Sequence, residues 1–580
     1  MESGRDHGGG ADLVVAAGVL LVGGAGGALW VAGQLGGAAW TRRWPTVPLS
    51  SALVLAARVA RHPARPDLAW PPAARSMLPP ALVLYGLSAV LIALPVGAAV
   101  IVAGRLRAGP LGPVGSSARR QSGPLSARWA LGRDLRLLRV RATTPGRLTI
   151  GRRPALFRRG ELLAGEPRSS LIVLGPSQSG KTSGLAVPAI LEWRGPVVAT
   201  SVKNDLVQHT LGWRHKLGPT WVFDPTASTG LESAAWSPIA SCDDWQRARQ
   251  VANWLCAAAR TRSGNIGDED FWYGAASKLL APHLFAAAHA GRTITDVVRW
   301  IDTQEEEEVG ALLIEAGIAE AERAAAASWD RDERTRSSVY ATAEMVLDAF
   351  ADPTVARATR SSQIRIRDLL DGRFATLYLC APTYEQTRLR PVFATLVHEV
   401  LNLAFERAGR QGRPLDPPLL LVLDEAANIA PVNDLDGLAS TAAGHGVQLV
   451  TVFQDLAQIQ ARYGDRAGAV VNNHRGKLVL SGVSDGPTLE LASRLAGESD
   501  TRDGSVTTDD RGRRSTTRAS RERRLVTDAQ VRLLQPHEAI LIYGHLQPAR
   551  IRLRPWFRDP VLRRRAGTAP DPTPGQIAVN

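Results

Sequence analysis

Gly175-Pro176-Ser177-Gln178-Ser179-Gly180-Lys181-Thr182 has the form G-x-x-x-x-G-K-[ST] and follows the apolar run Leu171 to Leu174 directly. Such a loop lets successive backbone N–H groups, out to Ser183, point inward at phosphate oxygens, and the helix that follows adds its positive N-terminal dipole. Lys181 is expected to reach the terminal phosphates and Thr182 to ligate Mg²⁺. The chain is therefore expected to bind a nucleoside triphosphate, ATP with Mg²⁺. It contains only five lysines among its 69 basic residues. A lysine kept at position 181 is informative, because a compact ammonium fits between phosphates where a planar guanidinium does not.

A second group completes a hydrolytic site. Leu419-Leu-Leu-Val-Leu-Asp424-Glu425 reads as a buried strand ending in adjacent carboxylates. Asp424 is expected in the Mg²⁺ shell, and Glu425 is expected to orient and deprotonate the attacking water. Val452-Phe453-Gln454-Asp455 ends another strand with an amide that could touch both γ-phosphate and water; the competing reading is a helix cap by Asp455. Lys203 and Asp205 close a third strand at the same edge, either supporting the site or salt-bridging at the surface.

The elements that must position these residues alternate in α/β order. Strands are expected at Ser170–Gly175, Pro196–Ser201, Thr220–Asp224, Phe374–Leu379, Leu419–Asp424, Gln448–Phe453 and Lys477–Ser481, each an apolar run suited to a parallel sheet covered on both faces. Ligands bind such sheets at the carboxyl ends of the strands, which is where the polar residues fall. Residues 243–362 show helical periodicity and Ala-rich tracts with no clear strand, so they read as an all-α domain inserted into a nucleotide-binding domain of residues 151–242 and 363–558. The 498–524 segment is nearly free of apolar residues and reads as a mobile excursion, and 559–580 as a flexible tail.

The N-terminal part has another character. Leu13–Gly33 and Ala81–Ala103 carry no charge and are long enough to cross a bilayer, so residues 1–103 are expected to form a membrane anchor with an extracytoplasmic loop at 34–80. The Gly and Ala content of the first span favours close helix packing in an oligomer. Residues 104–150 read as a basic juxtamembrane linker; twelve arginines lie between 104 and 153 against the single acid Asp134. That charge suits a polyanion, nucleic acid or anionic lipid headgroups, and favours a cytoplasmic C-terminal part. Arg42, Arg43, Arg58, Arg61, Arg65 and Arg75 in the loop weaken the contrast, and the need of the triphosphate site for cytosolic nucleotide sets the orientation, with the N-terminus on the same side. Cys242, Cys256 and Cys380 have neither disulfide nor zinc-site spacing, in keeping with a reducing compartment.

The phosphate loop, the SVKND element at 201–205, Phe223-Asp224-Pro225, Trp236-Ser237-Pro238, LLLVLDEAANI, VTVFQDLAQI and the run Gly482 to Glu490 together resemble the TraG/TraD-type coupling proteins of type IV secretion and conjugation. The resemblance covers about Trp129 to Phe557. It implies two N-terminal spans, a RecA-like motor domain interrupted by an all-α domain, a homo-hexamer at the inner membrane, and ATP-driven pumping of single-stranded DNA bound to a relaxase into the secretion channel. It also implies that the all-α insert contacts the relaxosome. Family members that supply an arginine in trans carry it before the strand ending in the sensor glutamine; here Ser440 to Gly446 has none, and Arg475 and Arg494 are the substitutes considered. Two other readings stand beside it: an FtsK- or HerA-like motor on double-stranded DNA, which shares the carboxylate pair, and a platform that binds ATP structurally with protein effectors as its cargo, against which Glu425 argues.

Overall fold

The computed structural model describes residues 9–93, 127–154, 160–202, 204–260, 266–429, 432–508 and 514–567. Its contacts divide the chain into two compact units, Met1–Gln121 and Ser122–Asn580.

In the first unit the helix Gly9–Thr41 packs on the helix Ala52–Arg61 around Leu29, Leu55, Val59 and the fully buried Trp70. A side chain at Gly33 would run into the Trp70 ring, and one at Gly26 into the Ala52 carbonyl. These small residues, expected to serve packing between subunits, are thus used within one chain. Trp30 and Gln34 both donate to the Val47 carbonyl, at 2.9 and 3.0 Å. The first expected span lies inside this long helix. The second begins in the helical residues 81–93, and its remainder, 94–103, lies outside the described residues. Among the described residues no helix is long and apolar enough to cross a membrane.

The second unit is built on a 12-stranded sheet. Its strands in chain order are β1 (Arg139–Val140), β2 (Thr149–Arg152), β3 (Leu162–Ala164), β4 (Leu171–Leu174), β5 (Val197–Ser201), β6 (Thr220–Phe223), β7 (Thr376–Cys380), β8 (Leu419–Leu423), β9 (Val447–Phe453) and β10 (Gly476–Leu480). Then follow β11 (Glu498–Thr508), β12 (Arg514–Arg524), β13 (Glu538–Tyr543) and β14 (Ala549–Arg552), of which β11 and β12 pair only with each other. The sheet order is β1-β3-β2-β14-β13-β10-β4-β9-β8-β5-β7-β6. From β10 to β6 every pairing is parallel, and the remaining pairings are antiparallel.

Alternate residues of the parallel strands enter two separate cores, which is why these strands read as unbroken apolar runs. Ile172, Leu174, Leu421, Leu423 and Phe453 face the core shared with the helices between β6 and β7 and with the helix Gln386–Gln411. Leu171, Val173, Leu420, Val422 and Val452 face the core closed by the helices Val187–Glu192, Asp205–His215 and Pro560–Ala566. The described residues between β6 and β7 are helical or irregular, and they continue one face of the sheet core rather than building a core apart.

Three expectations change. Residues 127–150 of the supposed linker are packed structure, with Leu135, Leu138 and Leu148 buried and β1 paired to β3. The 498–524 segment is a two-stranded antiparallel ribbon in continuous register from Glu498↔Arg524 to Thr508↔Arg514. Pairing between strands requires no apolar period, which hides such a ribbon from a search for buried faces. The tail begins later than Asp559, because Leu562 and Ala566 of the helix Pro560–Ala566 are core residues. Residues 568–580 lie outside the described residues.

One buried cation locks the rim opposite the carboxyl ends. Arg214 is fully buried and donates to Thr376 Oγ1 at 2.7 Å and to the carbonyls of Trp193, Gly195 and Phe374 at 2.7–2.8 Å, tying together the segments that enter β5 and β7. Burial lowers its pKa to about 10. Replacement by alanine leaves several carbonyls unpaired in a dry site, so Arg214→Ala is expected to cost about 3–5 kcal/mol. Chemical denaturation of the full chain measures this.

Candidate active site

The carboxyl ends of β4, β5, β8 and β9 converge, because these strands are parallel neighbours or next neighbours in the sheet. Residues Gly175 to Ser183 leave β4 through a loop whose exposed tip is Ser177 and Gln178, the latter in the left-handed region at φ 66°. The loop is anchored to β9 by the Gly175 N–H, which donates to the Phe453 carbonyl at 3.1 Å. Glycine is required at 175, since a Cβ there would lie 2.8 Å from Leu480 Cδ1, and at 180, whose φ is +89°. The helix opens with a wide π turn over Thr182–Ala186, a geometry that recurs at functional positions.

Lys181 is only 8% exposed and folds back so that its ammonium donates to the Gly175 carbonyl at 3.4 Å. Thr182 Oγ1 donates to Asp424 Oδ2 at 3.1 Å. Asp424 is 7% exposed, and Thr200 Oγ1 from β5 donates to its backbone carbonyl at 2.9 Å. Burial raises the Asp424 pKa to about 6; the Lys181 ammonium and the Thr182 hydroxyl pull it down, while Glu425 and Asp205 push it up. Asp424 Oδ1 is buried without a hydrogen-bond partner among the described residues. An orphaned carboxylate oxygen beside a threonine hydroxyl at the head of a phosphate loop is a fit for a hard, oxygen-seeking cation such as Mg²⁺.

Glu425 is half-buried and sits at φ 56°, a conformation costly for a residue with a Cβ. Its carbonyl accepts from Asn428 N–H at 2.9 Å, its carboxylate accepts from Asn428 Nδ2 at 3.4 Å, and the next N–H, of Ala426, donates to Val452 on β9 at 3.1 Å. The two adjacent carboxylates thus have different partners, Thr182 for Asp424 and Asn428 for Glu425.

Gln454 stands at the end of β9, one residue beyond the carbonyl that holds Gly175. Asp455 caps the following helix by accepting from Gln458 N–H at 2.8 Å, and Gln458 Oε1 accepts from the Gln454 N–H at 2.9 Å. Asp455 is therefore the helix cap, and Gln454 stands at the strand end. Asp205 is half-buried at the start of its helix, close enough to Asp424 to disfavour its charge. Lys203 lies outside the described residues.

Other sequence features have structural uses. Asp224 accepts from Thr226, Ser228 and Thr229 within its own turn, and Trp236 Nε1 donates to Glu399 at 3.0 Å. Asp485 caps the helix Gly486–Ala496. Arg475 pairs with Glu166 at 2.9 Å at the other end of β10, and Arg494 is exposed on its helix. Two contributors carry no signal in the sequence: Thr200, which holds Asp424, and His537, whose ring a Gly180 side chain would strike. Among the described residues no cluster of histidine, cysteine or acidic side chains forms a separate metal site, and the three cysteines are free and buried.

A family model described as "Type IV secretory system Conjugative DNA transfer" matches residues 134–574. The chain belongs to this family. Among its relatives, a conjugal transfer protein TraG of Escherichia coli is 26% identical over 404 residues, covering 64% of this chain and 62% of that one. A VirD4 protein of Agrobacterium fabrum is 26% identical over 441 residues, covering 71% and 62%. The match thus spans about three fifths of the length of these relatives. In fold, the chain is similar to the plasmid coupling protein TrwB solved with the ATP analogue ADPNP, at TM-score 0.55 and 18% identity, covering 75% of this chain and 96% of that one. TrwB has also been solved with ADP and Mg²⁺, at TM-score 0.52.

The Asp424 carboxyl gives the site a pH signature. Its pKa is raised by folding, so its ionisation costs stability as pH rises from about 4 to about 6, and a bound cation must displace its proton at lower pH. Mg²⁺-dependent nucleotide affinity is expected to fall about tenfold per pH unit below about pH 6. Calorimetric titrations from pH 5 to 8 measure this, and Asp424→Asn should abolish the dependence together with most of the Mg²⁺ effect.

Proposed function

We propose that this chain is a membrane-anchored, ATP-driven coupling protein that recruits a DNA–relaxase substrate and pumps single-stranded DNA into a type IV secretion channel as a homo-hexamer. The observation that carries the reading is the Thr182–Asp424 hydrogen bond with Glu425 beside it, in a chain of the conjugative DNA transfer family. The relatives named TraG and the solved TrwB coupling proteins with ADPNP or with ADP and Mg²⁺ support the cargo class and the nucleotide.

In this reading the loop N–H groups and Lys181 hold the β- and γ-phosphates, and Thr182 and Asp424 hold Mg²⁺. Bound Mg²⁺ supplies charge neutralisation on the phosphate oxygens. Glu425, which follows Asp424 and is held in a left-handed backbone conformation, accepts the proton of the attacking water, and Gln454 orients that water from the neighbouring strand. The two apolar segments at 13–33 and 81–103 anchor the hexamer in the inner membrane with the site in the cytoplasm. Residues 538–566 are strands and a helix of the nucleotide domain. They do not form the separate winged-helix reader that a double-stranded DNA motor of the FtsK class often carries.

Glu425→Gln is expected to keep ATP affinity within about threefold while lowering phosphate release at least a hundredfold. Single-stranded DNA is expected to stimulate release by the unaltered protein more than duplex does. Unchanged turnover in Glu425→Gln would refute the assigned chemistry, and absence of any DNA response would favour protein export.

A further inference from the structure

The phosphate loop has two sides. β4, which carries it, lies between β9 and β10. On the β9 side stand Gln454, Asp424 and Glu425, so the terminal phosphate and the chemistry belong there. The nucleoside end of a triphosphate held by this loop must leave toward the other side, over β10 and β13. No motif in the sequence assigns residues to that side.

The structure fills it with the C-terminal segment. His537, which enters β13, rests against Gly180: a Cβ on that glycine would lie 2.9 Å from His537 Cε1 and closer still to Nδ1. His537 Nδ1 is buried with no hydrogen-bond partner among the described residues, and the residue itself is held at φ 67°. Beyond it stands Phe557, its ring centroid 6.3 Å from that of the imidazole and edge-on to it. Phe557 is 43% exposed, with a face of its ring open to a ligand.

The support behind Phe557 is firm. Trp556 meets it edge-on at 5.7 Å and is itself packed on His209 at 4.2 Å, while the Arg558 guanidinium lies 5.9 Å from the Phe557 ring. The whole turn is seated on the helix that follows the phosphate loop, where Leu553 occupies the space a Gly184 side chain would need and the Arg554 N–H donates to the Gly184 carbonyl at 3.3 Å. An exposed aromatic face, fixed to the phosphate loop and next to an unpartnered imidazole, has the properties of a stacking platform.

We propose that His537 and Phe557 form the nucleoside subsite of the triphosphate site, with Phe557 stacking on the base and His537 bridging it to Gly180. This inference rests on the nucleotide-binding reading above and adds to it the residues that bind the base and ribose.

The test separates the two ends of the ligand. Binding of ATP with Mg²⁺ and of inorganic tripolyphosphate, which has phosphates and no nucleoside, is measured on the full-length protein by calorimetry. Phe557→Ala is expected to weaken ATP about tenfold and to leave tripolyphosphate within twofold, which also reports that the loop is folded. Phe557→Trp should restore ATP affinity, and His537→Ala should lose ATP affinity selectively in the same way. Unchanged ATP affinity in both alanine variants overturns the proposal, as does an equal loss of both probes or a change confined to oligomeric state. Lys181→Ala is the control for the parent reading and should lose both probes. An unaltered protein that binds neither would overturn that reading and the subsite with it.

Discussion

The hydrogen bond from Thr182 to Asp424 joins residues 242 positions apart and sets the conditions for the rest of the site. It exists because β4 and β8 flank β9 in a parallel sheet, so that their carboxyl ends meet at one edge. Its cost is the burial of a carboxylate with one oxygen unpartnered, an arrangement that favours the neutral acid until a cation is supplied. The protein holds part of that penalty down with the Lys181 ammonium and the Thr182 hydroxyl. A site arranged so is poised toward cation and phosphate together, since each relieves a group that the other leaves unbalanced.

The parallel strands and the carboxylates at their edge were legible in the sequence for one reason. A strand covered on both faces must be apolar at every position, so β4, β5, β8 and β9 appear as short unbroken runs, and the first polar residues after them mark the functional edge. Thr200 escaped because it lies inside its run, where a threonine reads as an ordinary β-branched strand residue. His537 escaped because its nearness to Gly180 depends on the order β13-β10-β4, which no local pattern encodes, and Phe557 because it stands beside His537 only in the folded chain.

The other departures share a cause as well. The ribbon of β11 and β12 is made from a segment with almost no apolar residues, so no hydropathy pattern registers it. The glycines of the first helix announce a close approach but not to what, and within its own unit the structure answers with Trp70 and the Ala52 backbone. Composition reports that a contact is possible, whereas the identity of the partner is a property of the folded chain.

One strand carries more of the mechanism than its residues suggest. The end of β9 accepts from the Gly175 N–H through Phe453 and from the Ala426 N–H through Val452, so the phosphate loop and the turn bearing Glu425 hang on consecutive carbonyls. Gln454 is the next residue. Two positions further on, the Leu456 N–H donates to Thr488 Oγ1 at 2.8 Å in the helix Gly486–Ala496, and Ser493 of that helix donates to the Val526 carbonyl at 2.6 Å just beyond the ribbon. The phosphate loop, the turn bearing Glu425, Gln454 and the helix from which the ribbon emerges are thus all tied to one strand end. The left-handed conformation of Glu425 is held between two such anchors, the Thr200 hydroxyl on the Asp424 carbonyl before it and the Val452 carbonyl on the Ala426 N–H after it, and a backbone outlier persists only where its surroundings over-determine it in this way.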